Sequence, residues 1–225
     1  MKHPAMEKKT VLLVGATGLV GSHILTGLLE HEFCDRVIAL TRSAIPGAEA
    51  FPKLDARIVD FERPDGWRDQ VAADQAICAL GTTIKKAGSR EAFRRVDFDY
   101  PLMIAQAALK GGCRHFLLVS AMGADANSHV FYNRVKGELE AAVLTLGFTS
   151  VSIFRPSLLL GDRQECRLVE VAGQVLGRRL AFAVPKRYRP IHARTVAAAM
   201  VRVAAADAPG NRVLASDVVA KWGAD

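Results

Sequence analysis

Tyr132 and Lys136 are the residues of this sequence best suited to moving a proton. They lie four residues apart in a segment with helical periodicity, 131–146, so both side chains lie on one helical face. An ammonium group beside a phenol lowers the pKa of the phenol, which then exchanges a proton near neutral pH. Ser120 closes an apolar run upstream and offers a hydroxyl group to a substrate carbonyl oxygen. The same Tyr–Lys spacing also occurs by chance in structural helices, so its meaning depends on the surrounding elements.

A glycine-rich turn near the amino terminus supplies that context. The apolar run 10–14 enters Gly15-Ala-Thr-Gly18-Leu-Val-Gly21, and a segment with helical periodicity follows. Glycines let backbone N–H groups approach a pyrophosphate, and the dipole of the following helix favours its negative charge. A P-loop is excluded, because no Lys-Ser/Thr pair follows the last glycine. Although such a turn can simply join a strand to a helix, its position predicts a dinucleotide site formed by Gly15, Thr17, Gly18, Leu19, Val20 and Gly21.

Apolar runs and helical patterns alternate along the chain. The runs are short and continuous, which is typical of parallel strands covered on both faces. The alternation predicts an α/β fold, a doubly wound parallel sheet of the Rossmann type in three α/β/α layers. We expect one domain over residues 1–225, with strands at 10–14, 36–40, 56–59, 76–80, 116–120, 150–154 and 212–215. The predicted helices are 19–30, 90–110, 131–146, 163–178 and 193–206.

Ligands of such sheets bind at the carboxyl ends of the strands, so the residues after each strand are candidates for contact. Arg42 follows the second strand, where an NAD site usually carries an acid. An arginine would instead pair with a 2′-phosphate, which favours NADP(H) over NAD(H), although an ordinary surface arginine would look the same. Asp60 is placed to bind the adenine amino group. The other cofactor candidates adjoin Asp60 or follow later strands: Phe61, Leu80, Gly81, Thr82, Thr83, Arg155, Pro156 and Leu158.

Two of these strand ends have features of their own. The segment 80–83 places a small residue and two hydroxyl groups where a backbone can press against ribose and phosphate. Pro156 fixes an extended turn whose backbone can meet a nicotinamide carboxamide. An ordinary strand-ending turn would carry the same Arg155-Pro156 pair, so this assignment stays open.

Charge and composition exclude several other classes of protein. The net charge of +7 comes from scattered lysines and arginines rather than from a basic patch with interleaved aromatic residues, so we expect no nucleic-acid partner. The cysteines Cys34, Cys78, Cys113 and Cys166 are far apart and indicate neither a zinc site nor a disulfide framework. We expect no metal, no membrane span, a cytoplasmic location, a small-molecule substrate, and a monomer or homodimer.

Taken together, these residues resemble the short-chain dehydrogenase/reductase superfamily. The glycine spacing and the Arg155-Pro156 pair are similar to its extended and atypical branches. More narrowly, the segments 81–83, 120–125, 132–138 and 189–192 resemble the Tat-interacting-protein oxidoreductase group and its bacterial relatives. The resemblance covers nearly the whole chain, and its motifs are specific only jointly.

The resemblance implies a Rossmann fold, a bound nicotinamide cofactor and a Tyr/Lys/Ser site. In that scheme Tyr132 is the general acid/base, Lys136 binds the nicotinamide ribose and tunes Tyr132, and Ser120 orients the carbonyl group. Two features depart from the family pattern. Asp97 occupies a place comparable to that of the usual asparagine. Ser120 precedes Tyr132 by twelve residues, close to the common short-chain spacing and much less than in sugar epimerases.

The sequence thus predicts an NADP(H)-dependent oxidoreductase that transfers hydride between nicotinamide and a carbonyl or alcohol carbon. Two alternatives remain. One is a non-catalytic regulator or scaffold that binds NADPH in the same pocket. The other is a sugar-nucleotide epimerase, which would need more than the reduced substrate region expected around 157–192. Ser120 lacks a G-x-S-x-G elbow, which argues against a hydrolase, and His192 either caps a helix, packs, or faces the substrate.

Overall fold

The computed structural model describes residues 8–161 and 185–224. Seven of its strands form a central sheet: β1 (Lys9–Val14), β2 (Cys34–Thr41), β3 (Leu54–Ile58), β4 (Gln75–Cys78), β5 (His115–Val119), β6 (Ser150–Arg155) and β9 (Arg212–Ala215). Their order in the sheet is β3-β2-β1-β4-β5-β6-β9, and all neighbouring strands are parallel. A separate short pair joins β7 (Leu159–Leu160) to β8 (Ile191–His192). The helices are α1 (Leu19–Glu30), α2 (Ile84–Ala87), α3 (Arg90–Arg94), α4 (Tyr100–Lys110), α5 (Phe131–Leu144), α6 (Ala193–Ala206) and α7 (Ser216–Gly223).

Helices cover the sheet on both faces, because successive residues of each buried strand point to opposite sides. In β1, Val11 and Leu13 pack in one apolar cluster with α1 and α6. Their neighbours Leu12 and Val14 pack in a second cluster with α4 and α5. The predicted Rossmann-type sheet in three layers is therefore confirmed.

The predicted elements are present, with differences at their ends. Each predicted strand is found, as are the helices at 19–30 and 193–206 with the predicted bounds. Helix α5 ends at Leu144 rather than at residue 146, ahead of Gly147, whose φ of +95° lies in the left-handed region. The predicted helix 163–178 lies outside the described residues. The β7–β8 pair and α7 are too short to have shown a clear periodicity.

The predicted helix 90–110 is divided by a wider turn. Arg95–Asp99 is a π-helical segment between α3 and α4, and it carries the fully buried Asp97. Such segments add one residue to a helical turn and often occur at functional sites. Among the described residues, no helix has both the length and the apolar character needed to cross a membrane.

Candidate functional site

The strand order reverses between β1 and β4, and the glycine turn lies at that point. Gly15 has a φ of +90°, and a Cβ atom there would lie 2.6 Å from the carbonyl oxygen of Ala79. A Cβ atom on Gly21 would lie 1.9 Å from the Gly15 carbonyl oxygen, so only glycine lets α1 begin this close to the turn. The N-terminus of α1 lacks a side-chain cap at Gly18, which leaves backbone N–H groups of its first turn for an anionic ligand.

A cleft of about 1070 Å³ opens at this end of the sheet. Its walls come from the glycine turn, from the ends of β4, β5 and β6, and from α5 and the β7–β8 pair. Twelve of the residues predicted from sequence line it: Gly18, Leu19, Val20, Leu80, Gly81, Thr82, Thr83, Ser120, Tyr132, Lys136, Pro156 and Leu158. The cleft therefore brings the phosphate-type turn and the Tyr–Lys pair into one space.

A second cavity, of about 490 Å³, lies after β2 and β3. Arg42, Asp60 and Phe61 line it, as their positions after these strands predict, together with Glu62 and Tyr100. The Phe61 and Tyr100 rings stack with centroids 5.5 Å apart, and the Tyr100 hydroxyl donates to the Glu62 carboxylate. Burial and this carboxylate raise the pKa of Tyr100 to about 12. The cavity thus combines a cation, two carboxylates and an aromatic wall.

The Tyr132–Lys136 pair has a third, negatively charged neighbour, Asp97. Lys136 Nζ lies 2.8 Å from Asp97 Oδ1, and the two side chains are 5% and 0% exposed. The other carboxylate oxygen of Asp97 accepts the Thr82 N–H at 2.9 Å, so the acid also holds the turn after β4. Tyr132 packs on the Phe93 ring, with centroids 5.5 Å apart. Asp97 thus lies where the sequence predicts the counterpart of the family's asparagine.

The pKa values of this group follow from burial and from its own charges. Burial raises the pKa of Tyr132 above its ordinary value, Lys136 lowers it, and Asp97 raises it again. Burial lowers the pKa of Lys136, but Asp97 and Tyr132 outweigh this effect and leave it above its ordinary value. Lys136 is therefore a buried ammonium group that the Asp97 carboxylate keeps charged.

Ser120 belongs to a second buried group. Its hydroxyl donates a hydrogen bond to Glu140 Oε1, and the Arg155 Nε atom binds the two Glu140 oxygens at 3.0 and 3.1 Å. Because a carboxylate only accepts, the Ser120 proton is directed at Glu140 and its lone pairs remain for the cleft. The hydrogen bond to Glu140 raises the pKa of Arg155 above its ordinary value.

Glu140 is the site residue that the sequence analysis missed. The charge of Glu140 predicts an exposed position on α5, yet the residue is only 3% exposed. Tyr132, Lys136 and Glu140 are successively four residues apart on one side of α5: the first two line the cleft, and Lys136 and Glu140 are buried. Extending the Tyr–Lys spacing by one more turn would have found it.

Other predicted residues support the cleft from behind or have additional partners. Gly15, Thr17, Gly21 and Arg155 are not among its lining residues in the described part of the chain. Thr83 lines the cleft and also caps α2 by accepting the Lys86 N–H at 3.1 Å.

His192 occupies the N-cap position of α6. In the described structure its side chain makes no capping hydrogen bond; it is exposed and lines the cleft. Of the roles open to it in the sequence analysis, the one facing the substrate region agrees with this position.

Comparisons with known proteins agree with this architecture. Residues 15–146 match a family model described as NAD(P)H-binding. Protein HTATIP2 of Rattus norvegicus is 40% identical over 182 residues, which are 80% of this chain and 73% of that protein. Protein fmp52, mitochondrial, of Emericella nidulans is 35% identical over 169 residues, 73% of this chain and 72% of that protein. The structure of MoeE5 in complex with UDP-glucose and NAD shares the fold, with a TM-score of 0.69 at 17% identity over 91% of this chain and 75% of that one.

Proposed function

Because the chain belongs to the atypical short-chain dehydrogenase/reductases of the HTATIP2 group, with an NAD(P)H-binding domain, we propose that it is an NADP(H)-dependent oxidoreductase acting on a carbonyl or alcohol substrate. One observation carries the proposal: Tyr132 and Lys136 line the same cleft as the uncapped N-terminus of α1. A dinucleotide bound across this cleft would reach from a phosphate site to a proton-transfer site. The nicotinamide, when bound, supplies or accepts a hydride.

Different parts of the cleft would bind the cofactor and transfer the proton. The first turn of α1 and the turn around Gly81 hold the phosphates and ribose, where a small residue lets the ligand come close. Lys136 binds the nicotinamide ribose, and Tyr132 gives or takes the proton of the substrate oxygen. The Ser120 proton is directed at Glu140, so Ser120 does not donate to a substrate carbonyl oxygen as the sequence predicts; its lone pairs accept instead from the hydroxyl group of the alcohol form of the substrate.

A cofactor-binding and turnover assay tests the proposed activity. The protein is loaded with NADPH, its binding is measured by calorimetry, and NADPH absorbance is followed with a panel of aldehydes and ketones. Turnover of a panel member supports the oxidoreductase. Tight cofactor binding with a uniformly negative panel would instead favour the regulator or scaffold, and conversion of a sugar nucleotide without net cofactor change would favour an epimerase.

The cofactor preference rests on Arg42 at the second cavity. We expect NADPH to bind more tightly than NADH, because the guanidinium pairs with a 2′-phosphate. Arg42→Gln should weaken NADPH binding about 10- to 100-fold and leave NADH binding nearly unchanged, since hydrogen bonds to charged groups contribute about 1.5–3 kcal/mol. Arg36→Gln, at an exposed arginine paired with Asp55, is the matched control. Equal affinity of the wild type for the two cofactors would refute the assignment. That result would mean that Glu62, which lines the same cavity and repels a phosphate, offsets the pairing of Arg42 with the 2′-phosphate.

The proposal also includes the cellular location and the oligomeric state of the protein. We expect a cytoplasmic monomer or homodimer, and the buried free thiols Cys34, Cys78 and Cys113 suit a reducing compartment. The word mitochondrial in the names of the fungal relatives makes the mitochondrion the alternative location. Fractionation of the source cells separates the two.

A further inference from the structure

Lys136 is the cation that the mechanism assigns to Tyr132, yet it already has a buried partner. Its Nζ atom lies 2.8 Å from Asp97 Oδ1, and both side chains are almost completely removed from water. Asp97 is held in this position from two sides, by the π-helical segment that turns it inward and by the Thr82 N–H at 2.9 Å. The contact is thus a built feature of the site.

A carboxylate in this position changes what Tyr132 experiences. A lone buried ammonium group would stabilise the phenolate strongly, because charges interact strongly at low dielectric constant. An ammonium paired with a carboxylate is a neutral pair, and its effect on a neighbouring phenol falls to that of a dipole. Among the described residues, the other charged or titratable side chains lining this cleft are Lys86 of α2 and His192 of β8. The Phe93 ring packed against Tyr132 offers no charge.

We propose that Asp97 is a positioning residue that cancels the charge of Lys136, so that the site holds Tyr132 as a protonated phenol and works as a carbonyl reductase at neutral pH. The inference rests on the proposed oxidoreductase function and adds its direction. In reduction the carbonyl carbon gains a hydride from the reduced nicotinamide, the C=O π bond opens, and the oxygen takes the Tyr132 proton. Water then returns a proton to the phenolate. Alcohol oxidation would need the phenolate at the start.

The ionisation of Tyr132 can be measured without a substrate. The chain has three tyrosines, Tyr100, Tyr132 and Tyr188, so the protein labelled with carbon-13 at the tyrosine ζ position gives three signals to titrate, and Tyr132→Phe assigns one of them. Asp97→Asn keeps the shape and an oxygen acceptor for Thr82 but removes the charge. We expect its Tyr132 ionisation constant to rise about tenfold or more over that of the wild type. An unchanged constant would overturn the proposal.

A second variant tests the same inference without leaving an unpaired buried charge, which could prevent folding of Asp97→Asn. Asp97→Asn combined with Lys136→Met removes both charges and leaves no buried ion unpaired. If the two charges cancel in the wild type, Tyr132 of this double variant titrates within a factor of about three of the wild type. An ionisation constant at least tenfold lower in the double variant would show that Lys136 acts on Tyr132 uncancelled, which also overturns the proposal.

Turnover gives a second readout. With a substrate pair identified by the NADPH screen, the pH at which kcat for alcohol oxidation reaches half its maximum should fall by about one unit in Asp97→Asn, because Tyr132 becomes a phenolate at lower pH. An unchanged pH profile of oxidation while the Tyr132 titration shifts would disprove the assigned role of the Tyr132 proton. If the screen yields no substrate, the oxidoreductase function fails, while the tyrosine titration still decides whether Asp97 cancels Lys136.

Discussion

The two ends of the sheet each contain a buried chain of polar side chains, and only one of them opens on a cleft. At the carboxyl end, Tyr132 and Lys136 line a space of about 1070 Å³. At the amino end, His115 Nδ1 lies 3.0 Å from Asp207 Oδ1, and His115 Nε2 lies 2.9 Å from Ser152 Oγ. This amino-end network has the hydrogen-bond order of a Ser-His-Asp hydrolase.

The two groups differ in their access to solvent, and this difference leads us to propose a catalytic role for only one of them. Ser152 and His115 are 0% and 1% exposed, so neither water nor a substrate reaches the serine oxygen. The network instead ties together β5, β6 and the end of α6, and Lys9 of β1 joins it through Asp207. Its residues satisfy one another's hydrogen bonds in the interior, which is a structural role. At the carboxyl end, Ser120, Tyr132 and Lys136 instead line the cleft.

The largest effect should come from the carboxyl end. Tyr132→Phe removes the proposed proton donor and should lower turnover about 10²- to 10⁴-fold. The affinity for NADPH and the free energy of unfolding should change little, because the ring still packs on Phe93. Steady-state kinetics, calorimetry and urea unfolding check the three quantities, and Tyr188→Phe, at an exposed tyrosine, is the control. Wild-type turnover in Tyr132→Phe would remove the proposed distinction between the ends.

Two serines test the comparison directly, since each binds a titratable side chain in the interior. Ser152→Ala leaves His115 Nε2 without its partner and should lower the free energy of unfolding by about 1–3 kcal/mol. Its kcat/KM should remain near that of the wild type. Ser120→Ala should do the reverse: Arg155 still holds Glu140, so stability changes less, while kcat/KM falls about tenfold or more. If Ser152→Ala impaired turnover at full stability, the amino-end network would have to be functional.

The smallest effect concerns the response to acid. Burial lowers the pKa of His115 below its ordinary value of 6.5, so the unfolded chain takes up this proton at a higher pH than the folded one. The free energy of unfolding should therefore fall as the pH drops through 6.5, by at most about 1.4 kcal/mol per pH unit. His115→Gln should show a flatter dependence between pH 7.5 and 5.5.

The acid response has a second part. Burial raises the pKa of Asp207, but Lys9 and His115 lower it more, so it lies below its ordinary value of 3.8. The ionised Asp207 carboxylate therefore adds to the free energy of unfolding above pH 3.8, and this contribution is lost at lower pH. Because Lys9 is retained, the same loss is expected in the His115→Gln variant. If the free energies of unfolding of the variant and the wild type changed in parallel down to pH 5.5, the prediction for His115 would be wrong, because its pKa would then be the same in the folded and unfolded chains.

The sequence was informative where a contact depends on local spacing. The order of strands and helices, the glycine turn and the four-residue step from Tyr132 to Lys136 follow from patterns within a few residues of each other. Side-chain contacts between residues that are far apart in the sequence cannot be predicted from such local patterns. Arg155 of β6 meets Glu140 across the fold, and Glu140 resembles a surface residue in an otherwise regular amphipathic pattern. His115 and Asp207 are 92 residues apart.

The π-helical segment Arg95–Asp99 makes this part of the chain sensitive to length as well as to residue type. A π turn arises when one residue is inserted into an α-helix, and each residue turns an α-helix by about 100°. Deleting one residue there would restore an α-helix and rotate the preceding residues relative to α4. Asp97 would then turn away from Lys136, although the residue itself was retained. The length of the segment, as well as the identity of Asp97, therefore places a carboxylate in the site.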